Sequence, residues 1–239
     1  MKVAVHQPQY LPWLGYLAKW AAADVLVLLD TVQYEKHGWQ NRNRIKTRDG
    51  AAWLTVPVQA PFGTTIRDVR VDARQPWRRR HARAIEHAYA DAPCFPRFRE
   101  GLAALYAREW DALAPLAEAS VRWLGAAFGI GTPIRLASAL GVDADDATTR
   151  LVRLSRAVGA TAYLAGRDGV AYLDTAQFAA AGISVWSQAY EHPSYPQRHG
   201  AFVPNLSGLD LLLNAGEAGL AILRSGDHWI EAANAAPLG

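Results

Sequence analysis

The sequence predicts an α/β fold, a Rossmann-like parallel sheet with helices on both faces and a helical insertion at about 77–130. Three observations predict it. Residues 2–5 read as a buried first strand, and Val25–Leu29 is an unbroken apolar run ending at Asp30, the mark of a strand covered on both faces. Between them Trp13–Ala22 reads as a short helix, so strand, helix and strand follow one another within roughly 30 residues, the length of a βαβ unit. From Trp77 to Phe128, three segments with apolar residues at helical spacing succeed one another without a strand, punctuated by Pro93, Pro96 and Pro115. A chain of 239 residues suits one domain, residues 1–239, with a full core.

The other elements follow in order. The loop Gln7–Pro12 holds two prolines, each fixing its own φ and restricting its predecessor. Trp53–Val58 reads as a strand, with Pro57 placing it at an edge or an end, and Ile66–Val71 alternates so as to pair beside it. Beyond the insertion, Ile134–Leu136 is a short strand, Thr148–Val158 a helix and Thr161–Ala165 a strand ending at Gly166. Asp174 caps a helix that runs to Ala181 and stops at Gly182. Ile183–Trp186 is the next strand. A polar, proline-rich loop from Glu191 to Pro204 leads to helices near 208–214 and 217–224.

Composition excludes several classes. Hydrophobic residues are 51% and charged residues 20% of the chain, which argues against disorder. One cysteine, Cys94, rules out a disulfide scaffold and leaves no Cys-based zinc site; no metal ligands are assigned. No leader is read at the start, and no apolar stretch nears the roughly 18 residues of a membrane span, so the expected compartment is the cytoplasm. The net charge is +3. His37, Arg42, Arg44, Lys46 and Arg48 crowd one segment and Arg78, Arg79, Arg80, His81 and Arg83 another. The second cluster fits a solvated helix face; nucleic-acid binding is its functional alternative.

Ligands of open α/β sheets gather at the carboxyl ends of the strands, where loops 6–12, 30–46, 166–172 and 188–205 are expected to meet. In the first, His6 stands at a strand tip, suited to phosphate contact or proton transfer, with Gln7 and Tyr10 beside it. Gly15 would let a ligand approach a helix start whose free N–H groups favour phosphate. In the second, Gln33, His37, Trp39, Gln40 and Lys46 accompany Asn41–Arg44. Arg42 and Arg44, two apart on an extended chain, would share one side and fork onto phosphate oxygens, with Asn41 and Asn43 turned the other way. Asp30 would bind a hydroxyl, an amine or a metal, or serve as a turn residue. His6, Asp30 and Asn41 are therefore the candidate catalytic residues. The third loop is a tight Gly166–Gly169 turn carrying Arg167 and Asp168. In the fourth, His192, Tyr195, His199 and Asn205 could join the site, and Ser207 reads as a helix cap. Trp13, Trp39 and Trp53 could stack a base or a sugar. No Walker loop, dinucleotide glycine fingerprint or zinc-protease helix is present.

Three stretches carry a resemblance. His6–Tyr16, Gln33–Lys46 with its core Trp39–Ile45, and His192–Gln197 with Phe202–Ser207 resemble the signatures of WbqC-like proteins nearly end to end. Arg167–Asp168 departs from that pattern, where smaller residues are usual. The resemblance implies a transferase that tailors an activated amino sugar or other small amine for O-antigen, other surface-polysaccharide or small-molecule biosynthesis. The group moved would be acyl or amino-acyl, and the donor would bear phosphate; a charged tRNA or a carrier protein is a compatible partner. A fainter similarity links the strand, His6 and the Gly15-bearing helix to nucleotidylyltransferases of the HIGH type, which would bring Mg²⁺ with a nucleotide and set phosphate on the helix cap at Ser207. Here the defining His-x-x-His is missing, and Gly15–Tyr16 stands where a Gly-His pair would be. A non-catalytic module binding a nucleotide sugar or nucleic acid is the third alternative. The sequence names no cofactor and no oligomeric state.

Overall fold

The structure, a computed structural model, describes residues 1–166 and 169–232. Its centre is a six-stranded sheet made of β1 (Lys2–His6), β2 (Val25–Leu28), β7 (Ile134–Leu136), β8 (Ala162–Ala165), β9 (Ser184–Gln188) and β10 (Trp229–Glu231). The strand order is β10-β9-β8-β1-β2-β7. All pairings are parallel except that of β10 with β9. This is the α/β, Rossmann-like architecture that the apolar runs predict.

Alternation along β1 divides the core. Val3 and Val5 face one side with Val25, Val27, Tyr163 and Val185, where α5 (Ala147–Ala157) and α6 (Thr175–Ala180) supply Leu154 and Phe178. Ala4, Leu26, Leu28 and Leu164 face the other side, covered by α1 (Leu14–Ala22), α4 (Leu113–Phe128), α7 (Gly208–Ala215) and α8 (Gly219–Ser225). Asp174 and Ser207 cap their helices as expected, accepting from the N–H groups of Ala176 and Leu209, and Asp146 does the same from Thr149, each cap contributing about 1 kcal/mol. The run α2 (Trp77–Tyr89), α3 (Phe95–Ala107) and α4 carries no strand between its helices. Arg79, Arg80 and Arg83 are exposed on α2, while Arg78 donates to the carbonyls of Ala107 and Arg108.

Two hairpins stand apart from the main sheet. In one, β3 (Arg42–Thr47) pairs with β4 (Gly50–Thr55), placing Arg44 opposite Trp53; its turn needs Gly50 at φ +102°. No strand is predicted at 42–47, because of its three buried positions Asn43 and Lys46 are polar and only Ile45 is apolar, which leaves no strand signal. Asn43 donates to the Leu11 carbonyl (2.7 Å) and Asn41 to that of Val56 (2.8 Å). In the other hairpin β5 (Val58–Gln59) pairs with β6 (Arg70–Val71), so the expected strand 53–58 is split at Val56–Pro57, and Ile66–Asp68 is a single 3₁₀ turn. No helix among the described residues is long and apolar enough to cross a membrane.

Candidate functional site

From β1 the chain builds outward through β2 to β7, then returns to add β8 and β9 on the other side. Neighbouring loops at β1 and β8 therefore leave in opposite directions and open a crevice at their carboxyl ends, where ligands of such sheets bind. A cavity of about 680 Å³ occupies it, within the range of small-molecule sites. Val5, His6 and Gln7 enter from the end of β1, and Gly166 and Gly169 follow β8. Gln188, Tyr190, His192 and Asn205 come from β9 and its loop, Trp13, Gly15, Tyr16 and Lys19 from α1 and its entry, and Trp39 and Arg44 from the hairpin side. All four loops contribute.

Local contacts fix this wall. A Cβ on Gly15 would lie 2.3 Å from the Trp13 ring, so glycine is what lets that indole lie against the helix. Trp13 then meets Tyr190 edge-on at 5.5 Å. The Gln188 amide donates to the Gly15 carbonyl (3.0 Å) and to Asp227 (2.9 Å), tying the end of β9 to α1.

The electrostatics of the cavity are cationic. Lys19 is 3% exposed, and burial alone brings its pKa down to about 7; among the described residues it has no hydrogen-bond partner. Burial also holds His6 well below the usual histidine value, with the Lys19 charge adding to the effect. His6 Nδ1 lies 3.2 Å from the Gln7 carbonyl; with the proton there, Nε2 is left as an acceptor. Its ring packs against Tyr16 at 4.5 Å. Arg44 donates through Nη2 to the Asn205 carbonyl (3.1 Å), while its Nε is buried without a partner. Burial lowers the pKa of His192, and its Nε2 is likewise buried and unpartnered. No carboxylate lines the cavity among the described residues. His192 Nδ1 donates to the Pro193 carbonyl (3.0 Å), which leaves Nε2 as an acceptor; the orphaned Arg44 N–H and the Lys19 amine are the donors that suit an anion.

The sequence-derived candidates divide. His6, Gln7, Gly15, Trp39, Arg44, His192 and Asn205 line the cavity. Gln40 stands behind it, donating to Gln7 Oε1 (2.7 Å). Arg42 turns away from the cavity to the carbonyls of His37 and Gly38, so the structure does not bring it together with Arg44 at the cavity wall. Asn41 and Asn43 hold backbone, and Lys46 is buried with its ammonium on the carbonyls of Gly200 and Ala201. Tyr10 is buried against His81 (3.0 Å) and Tyr106 (2.5 Å), and Ser207 caps α7. Tyr195 is buried beside Phe202 and near Asp210. His37 and Gln33 are exposed and away from the cavity, and His199 binds the Ala88 carbonyl (2.7 Å). Arg167 and Asp168 lie outside the described residues. Among the described residues no group of His, Cys, Asp or Glu is arranged to hold a metal ion. Lys19, Gln188 and Tyr190 were not singled out by the sequence.

Asp30, expected at the chemistry, instead accepts from the N–H (2.9 Å) and hydroxyl (2.6 Å) of Ser138, tying the end of β2 to the turn after β7. Asp30→Ala should lower stability by about 2 kcal/mol, the scale of hydrogen bonds to a charged group, and leave ligand affinity unchanged. Urea unfolding and a binding titration on the same preparation check both halves.

Residues 7–222 match the model of the WbqC-like protein family. The chain belongs to that family. A relative from Mycobacterium tuberculosis (strain ATCC 25618 / H37Rv), "Uncharacterized protein Rv1507c", is 37% identical over 220 residues, which is 90% of this chain and 94% of the relative. No solved structure matches the chain. In this WbqC-like chain the matched span holds every cavity-lining residue except Val5 and His6.

Proposed function

We propose that this WbqC-like protein is a transferase that moves an acyl or amino-acyl group from a phosphate-bearing donor to the amine of an activated amino sugar or other small amine. The product would serve surface-polysaccharide or small-molecule biosynthesis. The observation that carries the reading is one cavity that joins the Arg44 guanidinium to the Lys19 amine, with no carboxylate among its described lining residues.

Arg44 holds the phosphate, whose oxygens accept from its unpartnered Nε. Lys19, with a pKa of about 7, is neutral in roughly half the molecules at neutral pH and removes a proton from the substrate ammonium, a base matched to the working pH. The freed amine attacks the acyl carbonyl carbon. A C–N bond forms, the acyl–oxygen or acyl–sulfur bond breaks, and the leaving group departs with its electron pair and takes up the second proton that the attacking nitrogen loses. His6 Nε2 accepts a hydrogen bond from the acceptor and orients it. Trp13 and Tyr190 keep water from the carbonyl.

The test incubates the purified protein with acyl and amino-acyl donors (coenzyme A thioesters, acylated carrier protein, charged tRNA) and amino-sugar nucleotides, reading amide products by mass. Arg44→Ala should weaken donor or acceptor binding by about 2–5 kcal/mol, as for a buried charged contact. Arg42→Ala, aimed away from the cavity, should change it less than about threefold, well under one such contact. Pyrophosphate release from a nucleoside triphosphate without amide formation would move the assignment to nucleotidyl transfer. No product, together with equal affinities in both arginine variants, would overturn the reading.

A further inference from the structure

On the hairpin beside the cavity, two tryptophans are left half exposed, Trp39 at 41% and Trp53 at 47%. Their rings lie 5.5 Å apart and inclined by 36°. Trp39 also lines the cavity, so the pair is continuous with the site. Folding supplies no reason to keep two indoles in water side by side: exposed apolar residues are ordinary singly, whereas an adjoining pair at a cavity mouth marks a contact surface. Arg42 explains how the pair is held. Its guanidinium sits 4.4 Å from the centre of the Trp53 ring, while its donors grip the carbonyls of His37 and Gly38, the residues just before Trp39. One side chain therefore clamps the Trp39 loop to the hairpin. Arg44, opposite Trp53 in register, stands 5.7 Å from the same ring and enters the cavity.

We infer that Trp39 and Trp53 form a stacking platform for the base of a nucleoside diphosphate whose phosphates reach Arg44. The inference rests on the phosphate role of Arg44 proposed above and names the phosphate-bearing substrate class. An indole face accepts any base, because every base has a π-face, so the platform confers nucleotide binding without selecting sharply among bases. Order along the ligand follows from the geometry: base at the exposed mouth, diphosphate at Arg44, and the remaining group inside near Lys19 and His6. Arg42, which two-residue spacing pairs with Arg44 on phosphate, acts here as a positioning residue for the platform.

Isothermal titration of the full chain with inorganic pyrophosphate, the diphosphates of uridine, adenosine and guanosine, and a hexosamine 1-phosphate tests this. At least one nucleoside diphosphate should bind roughly 5- to 150-fold more tightly than pyrophosphate, the range of one stacked base. Trp39→Ala should erase that ratio while leaving pyrophosphate affinity unchanged, and Trp53→Ala should reduce it. Both residues are half exposed, so folding should survive, as a melting curve would verify. The platform is refuted if nucleoside diphosphates bind no better than pyrophosphate or the hexosamine phosphate, or if both tryptophan variants keep the ratio. In those cases a pyrophosphate affinity that still depends on Arg44 leaves the phosphate role standing. If no probe binds, or Arg44→Ala leaves pyrophosphate binding unchanged, the phosphate role fails and the platform falls with it.

Discussion

Lys19→Met is expected to yield a protein that is more stable than the wild type and, with the proposed general base removed, much slower in transfer. In the unfolded chain a lysine titrates near 10.4; in the fold, burial brings Lys19 to about 7. Between these values the unfolded state binds a proton that the native state does not, so native stability rises as pH climbs from about 7 towards 10.5. Below pH 7 both states are protonated and the full penalty of a buried ammonium is present. Methionine removes it, filling similar volume with an apolar chain. The variant should therefore exceed the wild type by about 2–5 kcal/mol at pH 6, given about 1.4 kcal/mol per pKa unit. The gap should close towards pH 10. Denaturant unfolding across that range measures it; an equal gap at every pH would mean that Lys19 is not held neutral by the fold. Transfer, measured in parallel, should fall by the 10²–10⁴ typical of a lost general base. A residue that lowers stability and is kept inside a cavity is the pattern of a functional site.

Gly226→Ala is expected to damage the fold and the site together. Gly226 has φ −89° and ψ 0°, which any residue adopts, so backbone freedom is not the issue. A Cβ there would lie 2.0 Å from the carbonyl oxygen of Glu191, and the Glu191 N–H is itself bonded to the Gly226 carbonyl at 2.8 Å. No side-chain rotation relieves a clash with backbone; the chain through Glu191 must move. Flanking it, Tyr190 and His192 both line the cavity. A loss of about 3 kcal/mol is expected, at the upper end for an overpacked site, accompanied by weaker ligand binding. Gly131→Ala is the control, with no atom within 4 Å of its added Cβ, and should stay within about 0.5 kcal/mol. Similar losses in the two variants would show that the contact at Glu191 is not what constrains Gly226.

The sheet was legible because strands buried on both faces must be apolar along their buried length, as Val3–Val5 and Val25–Leu28 are. The loops that meet at its carboxyl edge followed from the fold. Which side chains point inwards did not. Arg42 and Arg44 share one side of β3, as the spacing of two requires, yet a fold-specific contact with the 37–38 backbone takes Arg42 out of the cavity. Asp30 looked chemical because a carboxylate at a strand tip often is, and only the distant Ser138 shows its role. Lys19 escaped notice because a lysine near a helix C-terminus ordinarily points to solvent and offsets the helix dipole. Its signal was present in Leu14–Ala22, where it is the one charge in an otherwise apolar segment, which leaves no polar face to carry it outward. The edge strand β10 is three residues long and pairs against the direction of its neighbours, too short a pattern to read.

The strand order has a consequence for how the protein acquires its site. β1 is hydrogen-bonded on one side to β2, about 20 residues away, and on the other to β8, some 160 residues away. Loop closure over such a span is entropically slow, and non-local pairings of this kind delay folding. Until β8 docks, one edge of β1 stays open to wrong partners. The crevice between β1 and β8 is therefore expected to be the last seam of the sheet to close, and ligand binding should be the final property to return on refolding, after most of the helical signal has recovered.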